Sequence, residues 1–104
     1  MMIGLIEERR EEVTAICRRF GVASLEVFGS AVDGAFDENR SDVDFLVEFL
    51  PGQDLGPWLS HYFELKSTLE SLLGRSVDLV MPGAMKNPYF IREVNRTRRK
   101  VYAA

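Results

Sequence analysis

The sequence predicts a single α/β domain, a small mixed sheet of three to four strands flanked by helices. Three observations carry this reading. Apolar residues recur at helical spacing over 3–20 and 57–73, while short β-branched and aromatic runs occupy 25–28, 43–49 and 76–80. Glycine or proline stands at most of the boundaries between them. A chain of 104 residues that is 46% apolar has the material for one modest core.

Ile3, Ile6, Val13, Ile16, Cys17 and Phe20 fall close to the three–four–seven spacing of an amphipathic helix, and Gly21 follows where a left-handed cap is wanted. Leu25, Val27 and Phe28 form a first strand that stops at Gly29 and Ser30. A short irregular or helical stretch containing Gly34 leads to Asp42, and the VDFLVEF run after it is too rich in β-branched and aromatic residues to be anything but a strand. Pro51, Gly52, Gly56 and Pro57 mark a loop. Trp58, Leu59, Tyr62, Leu65, Leu69, Leu72 and Leu73 then repeat at helical spacing up to Gly74, which predicts a helix over 57–73 with Trp58, Tyr62 and Leu65 on its core face. SVDLV is a third strand stopped by Pro82 and Gly83. Asn87 and Pro88 open a last helix carrying Phe90, Ile91 and Val94.

No apolar run approaches the roughly 20 residues of a membrane span, and the acidic opening MMIGLIEERREE is unlike a secretory leader, so a soluble, cytoplasmic protein is expected. Cys17 is the only cysteine and is expected to be a buried structural residue. His61, the only histidine, has no sequence partner for a triad or a zinc site and reads as structural. The net charge of -3 gives no reason to expect general or sequence-specific DNA binding, but its distribution is uneven. Residues 26–54 carry eight acids against one base, Arg40, whereas from Lys86 onward six bases face one acid, Glu93. The acidic stretch will attract cations; the basic tail reads as a solvated helix face or a contact for an anionic partner.

Asp42 and Asp44 are two apart on the predicted second strand, and a period of two sends both carboxylates to one face. Like charges so close repel unless a cation compensates, and Mg2+ prefers such hard oxygen ligands. Asp78, between Val77 and Leu79, has the same strand setting and reaches the pair if its strand neighbours the second. Gly29 and Ser30 end a strand and open a turn, the context in which backbone N–H groups hold phosphate oxygens. A phosphate cradle beside three acids is a sufficient set of parts for phosphoryl transfer from a nucleoside triphosphate. A calcium loop starting at Asp37 is excluded, because its sixth position, which requires glycine, holds Asp42.

Gly29-Ser30, eleven residues, Asp42-x-Asp44 and a later strand-borne Asp78 together resemble the nucleotidyltransferase superfamily of DNA polymerase beta, and more narrowly its minimal nucleotidyltransferase (MNT) domains. The element order, the length, the VDLV strand and an NPYF-type last helix ending in a tyrosine near the C-terminus extend the resemblance over nearly the whole chain. It implies the nucleotidyltransferase fold and Mg2+-dependent transfer of AMP or a related nucleotide, with ATP as donor. It also implies an antitoxin role, in which the acceptor is a hydroxyl on a HEPN-type ribonuclease toxin. Position by position, Ser30 would contact the triphosphate, Gly29 would shape its turn, Asp42 and Asp44 would bind both metals, and Asp78 would bind the catalytic metal and help deprotonate the incoming hydroxyl. Asp33 departs from the family, many members of which carry arginine there, and Arg40 or a base of the C-terminal cluster could supply the missing charge. The departure keeps open a second reading, a non-catalytic relative that regulates its partner by contact. Transfer to a small molecule ranks last, because relatives that do this usually need a further domain to hold the acceptor.

Overall fold

A computed structural model describes residues 2–29, 32 and 42–104. Ser30, Asp33, Arg40 and the 37–41 segment of the excluded calcium loop lie outside the described residues. Two helices open the chain, α1 (Met2–Glu8) and α2 (Arg10–Arg19), where one continuous helix was expected. The break falls at Arg9, whose N–H is shared between the Leu5 and Ile6 carbonyls while its own carbonyl accepts the Val13 N–H. Gly21 closes α2 at φ 70. Then follow β1 (Val22–Phe28), β2 (Val43–Phe49), a 3-10 turn at Pro57–Leu59, α3 (Ser60–Leu73), β3 (Val77–Val80), α4 (Pro88–Thr97) and β4 (Arg99–Ala103). Asn87 caps α4, its Oδ1 accepting the Tyr89 N–H at 2.9 Å, with Pro88 in the first turn as its sequence suggests.

The four strands form one mixed sheet in the order β3-β2-β1-β4, with β2 and β3 parallel and the other pairs antiparallel. β4 was not anticipated as an element of its own. RKVYA offers only one buried residue, Val101, and its charges read as a helix face; in the fold they project from an outer strand. A bulge near the start of β1 sets two of its residues, Val22 and Ser24, against the adjacent β2 pair Phe49 and Glu48. This lets Val22, Leu25 and Val27 all reach one core despite their mixed parity.

That core lies between the sheet and α1, α2 and α3. Ile6, Val13, Cys17 and Phe20 meet Val43, Phe45 and Val47 of β2 and Leu65, Leu69 and Leu73 of α3. Burial pushes the Cys17 thiol up to about 12, as expected of an inert structural cysteine. His61 is likewise structural: Nε2 lies 2.6 Å from the Phe20 carbonyl and its ring tilts against Phe20 and Phe49. The expected core stripe holds for Tyr62 and Leu65 but fails for Trp58, which is 95% exposed. Trp58 and Leu59 adopt φ 55 and 57, so the chain turns left-handed before α3 begins at Ser60 and swings the indole off the helix face.

The opposite face carries a smaller cluster of Phe28, Leu46 and Val94, through which α4 is seated, with Phe90 edge-on to Phe28. Both outer strands also receive helix side chains on their backbones. The Glu70 carboxylate accepts the Val77 N–H at 2.9 Å and the Tyr62 hydroxyl donates to the Leu79 carbonyl. Arg10 donates to the Lys100 and Val101 carbonyls at 3.4 and 3.3 Å. Among the described residues no helix is long and apolar enough to cross a membrane.

Candidate active site

The parallel pairing of β2 with β3 satisfies the condition set by the sequence, because Asp44 and Asp78 are direct register partners. The antiparallel pairing on the other side sets Phe28 opposite Asp44. Asp44 therefore sits in the middle of a row, with a second carboxylate on one flank and a buried ring on the other. Its side chain belongs to the α4 face of the sheet, since Val43 and Phe45 fill the main core and the period of two sends Asp44 the other way. Asp42 lies just before β2 rather than within it and is exposed; Asp78, on an outer strand, is exposed too.

Asp44 is half-buried, and its carboxyl is pushed up to about 6. Burial is the largest cause, followed by the charges of Asp78 and Asp42 and a hydrogen bond shared with Asp78. As placed, no three His, Cys, Asp or Glu side chains among the described residues form a ready metal cluster. Instead Asp44 meets Asp78 and Asp42 as two repelling pairs. The chemistry of the donor set nonetheless fits Mg2+. All the donors are carboxylate oxygens, and the two outer carboxylates are exposed, so they can rotate onto a cation at little cost.

Gly29 follows β1 at φ 75, a conformation that favours glycine. A Cβ on it would stand 2.9 Å from Asp44 Oδ2, so the turn is built against the central carboxylate. Its carbonyl accepts the Val32 N–H at 3.0 Å, and its own N–H donates to Thr97 Oγ1 at 2.8 Å. Gly29 thus has a left-handed backbone and both its backbone groups bonded within the fold. Ser30, the other residue expected at the triphosphate, lies outside the described residues.

Residues that carried no motif also contribute. Thr97 is buried at the end of α4. The Tyr62 phenol is held above its ordinary value by burial and then by the Asp78 charge, which keeps it a donor beside the site. Glu26, 7% exposed on the α4 face of β1, takes a two-pronged contact from Arg98, with Nη2 at 2.7 Å and Nε at 2.8 Å, and a Lys100 ammonium at 3.7 Å. A buried acid in a strand and an arginine 72 positions later give no joint signal in sequence.

The Arg98 hydrogen bond is the largest cause holding the Glu26 carboxyl below its usual range. Stability from this group is therefore present above the unfolded carboxylate pKa and is lost as pH falls through the lower folded value. Arg98→Ala should cost about 2 kcal/mol at pH 7, discounted from a fully buried pair because Arg98 is partly exposed and Lys100 remains. Urea unfolding of both proteins should show the gap closing toward pH 3. A gap independent of pH would mean that Arg98 acts by packing alone.

A family model described as Nucleotidyltransferase domain matches residues 9–101. The protein adenylyltransferase MntA of Thermococcus cleftensis is 48% identical over 69 residues, 66% of this chain and 65% of its own length. A solved structure provisionally described as a minimal nucleotidyltransferase superposes with a TM-score of 0.73 at 35% identity, covering 95% of each chain. The MNT antitoxin complexed with tri-AMPylated Shewanella oneidensis HEPN toxin provides a further match, with a TM-score of 0.63 at 19% identity over 95% of this chain and 73% of that one. This last likeness is one of fold.

Proposed function

The chain belongs to the nucleotidyltransferase domain family, and from that premise we propose that it transfers AMP from ATP, with Mg2+, to a protein hydroxyl on a HEPN-type toxin that it thereby neutralises. The observation that carries the chemistry is the in-register pairing of Asp44 with Asp78, next to Asp42 and beneath the Gly29 turn. A protein acceptor is supported by the name of the MntA relative. A HEPN partner is supported by the complex in which the MNT neighbour occurs.

In this reading Asp42 and Asp44 would hold Mg2+, with Asp78 as a further carboxylate from β3. The cation, when bound, neutralises triphosphate charge and polarises the phosphoryl oxygens. Asp44, fixed in the sheet between Phe28 and Asp78, sets the position of the group. Asp78 is exposed on the outer strand, within reach of an acceptor carried by a second protein, and takes the proton of the incoming hydroxyl. The oxygen–phosphorus bond forms at the α-phosphate as pyrophosphate leaves. The turn at Gly29 leads directly into Ser30, which contacts the triphosphate in this reading.

The test is co-expression with the HEPN-type partner followed by intact-mass measurement of that partner. The unaltered chain should add one or more adenylyl increments, and the double variant Asp42→Asn, Asp44→Asn should add none while keeping its fold. Full protection from the toxin by a double variant that leaves the partner's mass unchanged would favour the contact-only reading, and persistence of the increment would refute the metal assignment.

A further inference from the structure

We propose that Thr97 is a positioning residue for the nucleotide site, its hydroxyl locking the Gly29 turn in place against Asp44. This rests on the nucleotidyl-transfer reading and adds to it a residue outside the motif.

Thr97 is the last residue of α4 and is 2% exposed. Its oxygen accepts the Gly29 N–H at 2.8 Å and donates its single hydrogen to the Glu93 carbonyl at 2.9 Å. A hydroxyl has one hydrogen, and once that is given to the carbonyl one turn back in the helix, the rotor is fixed with a lone pair toward Gly29. The direction of the acceptor is thus set by α4 itself, which is seated on the sheet through Val94 and anchored to β1 by the adjacent Arg98.

The lock acts where displacement matters. Gly29 has both backbone groups committed, its N–H to Thr97 and its carbonyl to Val32, so it shapes the turn without itself donating to a phosphate. Its Cα faces Asp44 Oδ2 so closely that a methyl there would collide. A shift of the Gly29 N–H is therefore a shift of the wall beside the central carboxylate. Valine has nearly the shape of threonine but cannot accept this bond, whereas serine can.

Two readouts decide the matter on the full chain, in Thr97→Val and Thr97→Ser. One is hydrogen exchange of the Gly29 amide in metal-free and nucleotide-free protein; the other is the ATP dissociation constant in the presence of Mg2+. Thr97→Val should speed the exchange and weaken ATP binding by about tenfold each, and Thr97→Ser should stay within about twofold of the original on both. Unchanged ATP affinity in Thr97→Val overturns the proposal even if exchange quickens, because the role is then structural only. Equal weakening by serine and valine overturns it as well, as does an original chain that binds no ATP. An original chain that binds ATP and shows the valine effect, yet modifies no partner, upholds the proposal and overturns only the transfer reading.

Discussion

Asp44→Asn should abolish nucleotidyl transfer and at the same time make the metal-free protein more stable at pH 7. The loss of activity, about a thousandfold or more, follows from removing the carboxylate that in the proposed function would hold the cation and that the sheet flanks with Phe28 and Asp78. The gain in stability follows from the Asp44 carboxyl, pushed up to about 6 by burial and by Asp78 and Asp42. Its folded-state value lies above the unfolded one, so unfolded chains ionise first as pH rises from about 4 to about 6, and stability falls across that window and stays low above it. At roughly 1.4 kcal/mol per pKa unit the penalty is about 3 kcal/mol at most, less after discounting for the partial exposure of the group. Asparagine carries no such charge and should escape the fall. Thermal unfolding in chelator at pH 4.5 and 7.5 should show the variant gaining on the original only at the higher pH, and added Mg2+ should stabilise the original alone. A variant equally destabilised at both pH values would show that Asp44 is a packing residue and not a charge held for a ligand.

Gly29→Ala should reduce transfer by about a hundredfold while costing only about 1–2 kcal/mol of stability. The stability term is the left-handed backbone at φ 75, which a Cβ makes unfavourable. The activity term has a different origin. The new methyl would stand 2.9 Å from Asp44 Oδ2, and since that atom is the end of a side chain, the carboxylate can swing away cheaply. The fold survives and the site geometry does not, because a displacement of about 1 Å at a reacting centre is enough for losses of this size. Urea unfolding and initial rates on the same preparation check both halves. A rate loss no larger than the unfolded fraction accounts for would refute the claim that Gly29 guards the position of Asp44.

How far these features could be read from sequence depended on whether the signal was local. VDFLVEF is β-branched and aromatic throughout and forms β2 over the residues expected. Asp78 could be joined to Asp44 only on the condition that their strands were neighbours, since parity fixes a face but not which strands pair; the parallel ladder supplies that fact. The three acids expected as ligands lie near one another, Asp44 feeling the charge of each of the other two, but among the described residues they do not form a ready cluster. β4 escaped notice because one buried valine among charges has no readable period. Trp58 misled for the reverse reason: its spacing matched the helix, but two left-handed residues displaced the helix start. Thr97 and the Glu26–Arg98 pair depend on contacts 68 and 72 residues apart, and a threonine among the bases of a last helical turn announces nothing.

The hydrogen bonds between Glu70, Tyr62 and β3, and from Arg10 to β4, place helix side chains on backbone groups at both rims of the sheet. An uncapped rim is a template on which a foreign chain can crystallise as one more rung, and here the rungs stop at four. Each backbone group so occupied is one fewer rung on which a second copy could pair. The same capping restricts how a client protein can present itself. In the proposed function, an acceptor approaching Asp78 along the β3 rim would meet the Glu70 and Tyr62 side chains before the strand backbone.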